Sequence, residues 1–280
     1  MAESISSLLR AHGLRPQKGL GQNFLTDPAI LERIAAAADL TAADTVVEVG
    51  AGLGHLTSLL AERAGRVIAV EIDGRLIPLL RRRLADYANV EIVRGDILRF
   101  PTPASPCTKV VGNLPYYLTS AILRHFLERE PRPCLLVVTV QDEVAERIVA
   151  EPGAMNLLAL GVQFYGSPRI VMRVKAGAFY PRPKVDSAVV RIDVGEQPTV
   201  ALPEGVDDAL FFRVARAGFG QKRKTLRNAL AAGLGITKEQ AESALLAAGI
   251  DPRRRAETLG LEEWANLSAQ CAEMVRGRDT

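Results

Sequence analysis

The segment Glu48-Val49-Gly50-Ala51-Gly52-Leu53-Gly54 restricts the possible folds of this chain more than any other, because it joins a β-branched run to a helical stretch through a glycine-rich turn. Glycines at such a turn let the backbone pass close to a ligand where a Cβ would collide, and they leave free amides near a helix N-terminus. The turn belongs to a longer alternation. Between residues 41 and 150, apolar runs predicted as strands over 45–49, 67–72, 90–93, 109–111 and 135–140 each precede a helical stretch. This is the pattern of βαβ units around a parallel sheet covered on both faces.

Ahead of these units, Thr26-Asp27-Pro28 reads as a helix start, with Asp27 as cap and Pro28 in the first turn. Pro78 falls inside a stretch of helical periodicity over 75–87, so that helix either begins near Ile77 or loses a hydrogen bond in its first turn. After Asn156 come a helical stretch to about Tyr165, strands over 169–174 and 187–194, and between them the Pro-rich Phe179-Tyr180-Pro181-Arg182-Pro183. A polar segment over 195–204, carrying Pro198 and Pro203, reads as a linker. Beyond it the periodicity is helical, with breaks expected at Gly233, Gly235 and Asp251-Pro252. Two domains are therefore expected, over 1–198 and 199–280.

With 48% hydrophobic and 24% charged residues the composition is that of a soluble globular protein. No run approaches the roughly 18–20 apolar residues that a bilayer span requires, and the N-terminus has no signal-like apolar core, so neither membrane insertion nor secretion is expected. Cys107, Cys134 and Cys271 are widely separated and match neither a disulfide framework nor zinc-ligand spacing, which points to a reducing cytoplasm and to no metal. The net charge of +3 says little about partners, but its distribution says more. Residues 211–230 hold six basic side chains (Arg213, Arg216, Lys222, Arg223, Lys224 and Arg227) and no acidic one, the mark of phosphate contacts.

The glycine spacing also selects a ligand. A dinucleotide turn requires a Gly or Ala three residues after the second glycine, and position 55 is His55, so a nucleoside without a pyrophosphate fits better. S-adenosylmethionine is such a nucleoside. Glu71, ending the second strand, is placed for both ribose hydroxyls, and Asp96, after the third, for the adenine amino group. At the end of the fourth strand stands Asn113-Leu114-Pro115-Tyr116, facing the cofactor across the crevice of a doubly wound sheet. An adenine amine is a poor nucleophile because its lone pair is delocalised into the ring. The Asn113 side-chain oxygen and the Leu114 carbonyl suit its two hydrogens, Pro115 fixes the turn, and the Tyr116 ring offers a stacking face. No metal and no histidine base is required, and His55 is read as a helix-start residue.

Gly21-Gln22-Asn23-Phe24-Leu25, the Glu48–Gly54 turn, Glu71-Ile72-Asp73, Gly95-Asp96, Asn113–Tyr116, FYPRPKVDS over 179–187 and FGQKRKTLRNAL over 219–230 follow one another along nearly the whole chain. Together they resemble the motifs of the small-subunit ribosomal RNA adenine dimethyltransferases, the RsmA/KsgA group. The resemblance implies an α/β fold of the Rossmann-like class I methyltransferase type, with a seven-stranded, mostly parallel sheet and a small C-terminal helical domain. It implies transfer of methyl groups from S-adenosylmethionine to N6 of two adjacent adenosines near the 3′ end of small-subunit ribosomal RNA. It also implies that Asn23, Leu25, Gly50, Gly52, Glu71, Asp96 and Asn113 bind the cofactor. Phe179 would stack on the flipped base opposite Tyr116, and Lys222, Arg223, Lys224 and Arg227 would dock RNA of the assembling small ribosomal subunit. A monomer is expected. The competing readings are a resistance-type methyltransferase acting on large-subunit RNA, a binding factor in ribosome assembly, and a nicotinamide oxidoreductase.

Overall fold

The computed structural model describes residues 5–105 and 107–276. Seven strands form one sheet: β1 (Thr45–Val49), β2 (Arg66–Glu71), β3 (Val90–Arg94), β4 (Thr108–Asn113), β5 (Leu135–Gln141), β6 (Gly166–Val174) and β7 (Ser187–Val194). Their order is β3-β2-β1-β4-β5-β7-β6, parallel from β3 to β5, with β7 antiparallel to β5. The reversal of strand order lies between β1 and β4, so the loops after these two strands diverge and leave a crevice at their C-terminal ends.

Eleven α-helices are described: α1 (Ile5–Ala11), α2 (Pro28–Ala37), α3 (His55–Ala61), α4 (Ile77–Arg83), α5 (Thr119–Leu127), α6 (Asp142–Ile148), α7 (Leu157–Tyr165), α8 (Asp208–Phe219), α9 (Leu226–Leu234), α10 (Lys238–Ala247) and α11 (Leu261–Arg276). Asp27 caps α2 by accepting from the Ala29 N–H at 2.9 Å. Pro78 lies in the first turn of α4, which begins at Ile77, so the proline removes no interior hydrogen bond. On one face of the sheet, Val46, Val67, Val111, Val137 and Val189 pack with Ile34 of α2 and Leu60 of α3, all but excluded from water.

The chain forms two compact units, one of residues 1–146 and 167–196, the other of 147–166 and 197–280. The expected boundary near residue 198 thus misses one excursion. Residues 147–166, including α7, group with the C-terminal helices because α7 buries aromatic surface there: the Phe164 ring lies 4.6 Å from that of Phe211 in α8. Gly233, expected to break the helical run, lies inside α9. A Cβ on it would stand 2.6 Å from the Ala217 Cα, so it permits the close crossing of α8 and α9, and the helix ends at Gly235.

The cysteine reading is corrected as well. Cys107 and Cys134 form a disulfide, which the 27-residue separation concealed. Each stands just before a strand, and β4 and β5 are parallel neighbours, so the sheet brings the two together; the Cys134 N–H donates to the Thr108 carbonyl at 2.9 Å.

Gly112 sets how closely β1 and β4 approach at the crevice. A Cβ there would lie 2.5 Å from the Val49 carbonyl oxygen and 3.1 Å from its nitrogen, main-chain atoms that cannot swing aside. Gly112→Ala is expected to destabilise the protein by about 3 kcal/mol, the upper part of the overpacking range, read from the denaturant midpoint. An unchanged midpoint would show that the strands separate at no cost.

Candidate active site

A cleft, partly open to solvent, lies at the C-terminal ends of β1, β2 and β4. Asn23, Leu25, Gly50, Gly52, Glu71 and Asn113 all line it, as do Glu48 and Pro115. The turn after β1 holds Gly50, Gly52 and Gly54 at φ of 72°, 58° and 79°, left-handed conformations that a side chain at these positions would strain. Glu71 ends β2 with its carboxylate accepting from the Gly52 N–H and the Asp73 N–H, each at 2.8 Å. One acid thereby fixes the glycine turn and keeps acceptor capacity for a ligand, a carboxylate having about four lone-pair sites. Burial raises its pKa, while these amide hydrogen bonds oppose the rise.

Glu48, at 2% exposure, is pushed up to about 8, first by burial and further by the Glu71 carboxylate, with Thr57 opposing. Among the described residues its Oε2 accepts no hydrogen bond, although the residue lines the cleft. An acidic atom orphaned against a cavity fits a site that receives a cation.

Asn113 closes β4 opposite Thr139 of β5. Its Nδ2 donates to the Asn23 carbonyl at 2.7 Å, so the amide is clamped with Oδ1 left to accept. The Leu114 N–H donates to the Thr139 carbonyl at 3.1 Å, which fixes the next peptide, and Pro115 leads into a single 3-10 turn over Tyr116–Leu118. The Tyr116 hydroxyl shares a 2.7 Å hydrogen bond with Ser187, at the start of β7, and burial raises the phenol pKa. Ser187 and the Asn23 carbonyl are orienting groups that sequence reasoning left without a role, although both lie inside quoted motifs.

Three expected residues are placed differently from the reading of the sequence. Phe179 is 4% exposed in the apolar cluster, because its two-residue strand with Tyr180 pairs antiparallel with Phe24–Leu25 and sets Phe179 opposite Leu25. It lines an adjacent cavity with Tyr180, Thr26 and His55 rather than the cleft of Asn113. Asp96 stands at the end of β3 beside Gly95, whose N–H donates to the Glu71 carbonyl at 3.0 Å. Its Oδ1 caps the Leu98 N–H at 3.0 Å, and it is not among the described residues lining the cleft. In the second unit Lys222, Arg223 and Lys224 are exposed on the turn between α8 and α9, whereas Arg227 is half-buried and pairs with Glu242 at 2.9 Å. His55 is the first residue of α3, as read, and burial lowers its pKa to about 4, with Arg83 adding to the effect.

The 3-2-1-4-5-7-6 strand order, the glycine turn fixed by an acid on the second strand and the cleft that both border define a class I methyltransferase that uses S-adenosylmethionine. A family model described as ribosomal RNA adenine dimethylase matches residues 13–273. The chain belongs to that family.

It is 51% identical over 265 residues to the ribosomal RNA small subunit methyltransferase A of Dehalococcoides mccartyi, with 93% of this chain and 90% of the relative covered. Identity to the protein of that name from Moorella thermoacetica is 47%, covering 94% of both. Among solved structures it resembles a dimethyladenosine transferase from Plasmodium falciparum (TM-score 0.74, 25% identity, 89% of this chain and 98% of that one). It also resembles the 23S rRNA methyltransferase ErmE (TM-score 0.70, 30% identity, 89% and 99%). Among the described residues, no helix is long and apolar enough to cross a membrane.

Proposed function

We propose that the chain methylates N6 of two adjacent adenosines near the 3′ end of small-subunit ribosomal RNA, giving dimethyladenosines, as a step in assembly of the small subunit. The observation that carries the chemistry is the clamped Asn113 amide, with Nδ2 held by the Asn23 carbonyl and Oδ1 available at the cleft. S-adenosylmethionine supplies an electrophilic methyl group. Glu71 holds its ribose hydroxyls, the orphaned Glu48 carboxyl meets its ammonium end, and Asn23, Leu25, Gly50 and Gly52 shape the wall. Asp96, directly after β3, takes the adenine amino group. The Asn113 Oδ1 and the Leu114 carbonyl accept the two hydrogens of the target amine, directing its lone pair at the methyl carbon. Pro115 fixes the turn, and Tyr116, held at Ser187, offers its ring to the base. The place of Phe179 in the FYPRPKVDS motif supports its assignment as the second face of the base pocket, opposite Tyr116. Positioning and polarisation carry the catalysis.

The preference for small-subunit RNA rests on the 51% and 47% identity to relatives named for that activity, against 30% to the 23S enzyme. Primer extension on both RNAs from a deletion strain tests it: lost stops in large-subunit RNA alone would reverse the assignment. We further propose a monomer that docks on the assembling subunit through the α8–α9 turn; its cytoplasmic location rests on the likeness to the small-subunit methyltransferases and no longer on the cysteines, two of which are bonded.

For that docking, Lys222, Arg223 and Lys224 are the exposed cations, while Arg227 is engaged with Glu242. Gly218 lies inside α8 against Trp264, and the turn itself closes with the Lys224 N–H on the Gln221 carbonyl at 2.9 Å. Reversing all three cations to Glu is expected to weaken subunit binding and flatten its salt dependence by about three phosphate contacts, without changing S-adenosylmethionine affinity. An unaltered salt slope would return the turn to an ordinary solvated surface.

A further inference from the structure

Tyr117 follows the active-site tyrosine directly, yet its environment is the opposite of that of Tyr116: it is 62% exposed. Its ring is nonetheless seated. A Cβ built on Gly21 would come within 3.2 Å of the Tyr117 Cε1 and 3.3 Å of the Pro115 Cβ, so the ring lies close against Gly21, where a side chain would press on it. Gly21 and Pro115 both line the cleft, which puts the ring of Tyr117 on its rim. Gly21 also caps the short turn Lys18–Leu20, its N–H donating to the Lys18 carbonyl at 3.0 Å. The sequence around that turn is one-sided in charge: residues 4–26 contain Arg10, Arg15 and Lys18 and no acid, and Arg15 and Lys18 are exposed.

A backed, exposed aromatic ring beside exposed cations is how proteins hold single-stranded nucleic acid, with bases stacked on the ring and phosphates near the charges. A target adenosine turned into the cleft leaves its neighbour without a stacking partner, and unstacking costs a few kcal/mol unless the protein replaces the lost contact. We propose that the Tyr117 ring is a second base platform, on which the nucleotide flanking the target adenosine stacks, with Arg15 and Lys18 taking the adjoining phosphates. The inference rests on the RNA-methylating reading above and adds a subsite to it.

The test compares wild type, Tyr117→Ala and Tyr117→Phe in two measurements. In the first, methylation rates are followed against the concentration of small-subunit particles from a strain lacking the enzyme, at saturating S-adenosylmethionine. Tyr117→Ala is expected to lower kcat/KM by roughly 5- to 150-fold, the range of one base–aromatic stack, and Tyr117→Phe to recover most of the loss. In the second, a single-stranded oligoribonucleotide with 2-aminopurine next to the target adenosine is titrated with each protein. Its fluorescence should be quenched by wild type and Tyr117→Phe and much less by Tyr117→Ala, with S-adenosylmethionine binding unchanged in all three. Equal quenching by the three proteins, or a rate loss that phenylalanine does not repair, would overturn the platform. If wild type methylated no particles while the quenching difference held, the small-subunit reading would fall and the platform would stand.

Discussion

Asn113→Ala is expected to lower turnover on small-subunit RNA by roughly 100-fold or more, with the fold retained. The size follows from what the side chain does. Its oxygen is the acceptor that draws density toward the amine as the new bond forms, and the Asn23 carbonyl holds it in place at 2.7 Å before substrate arrives. A group already oriented costs no reorganisation in the transition state, so its loss falls on kcat more than on KM. The deletion leaves the Asn23 carbonyl facing the cleft, where water replaces the lost donor, which is why the fold survives. Aspartate is the instructive second variant. It restores an oxygen but cannot donate to the Asn23 carbonyl, and a carboxylate there would repel that oxygen. Asn113→Asp should therefore be nearly as slow as alanine, and near-normal rates for either variant would remove Asn113 from the mechanism.

The second large effect belongs to Glu71→Ala, expected to weaken S-adenosylmethionine binding by roughly 100-fold or more in calorimetry. Two losses combine. The ribose hydroxyls lose a charged acceptor worth about 1.5–3 kcal/mol per bond, and the buried N–H groups of Gly52 and Asp73 lose the partner that each now holds at 2.8 Å. The glycine turn then loosens as well, so the loss should exceed that from removing a ligand contact alone. Glu71→Gln keeps one acceptor oxygen and should fall between. Wild-type affinity in Glu71→Ala would mean that the carboxylate only braces the turn and that the ribose is held elsewhere.

Much of this was legible along the chain because the chemistry lies at strand ends. Glycine turn, acid and Asn-Leu-Pro-Tyr each follow an apolar run, and parallel pairing of β1, β2 and β4 brings them to one edge of the sheet without further information. What stayed hidden depends on pairs distant in sequence. Asn113 and Asn23 are 90 residues apart, Tyr116 and Ser187 71 apart, and Cys107 and Cys134 meet only because β4 and β5 are neighbours. The pairing that sets Phe179 opposite Leu25, 154 residues away, was likewise not legible from its proline-rich motif. The grouping of α7 with the C-terminal helices was equally invisible, since its Asn156 cap and periodicity define a helix but not the core that it joins.

The central claim, that this site dimethylates adenosines of small-subunit RNA, is tested most directly by mass mapping of methylated adenosines. Ribosomal RNA would be taken from cells lacking the protein, from cells restored with the wild type and from cells restored with Asn113→Ala. The account predicts that dimethyladenosine at two adjacent positions near the 3′ end of small-subunit RNA disappears in the first, returns in the second and stays absent or scarce in the third. Dimethyladenosine unchanged in small-subunit RNA without the protein, or fully restored by Asn113→Ala, would contradict it.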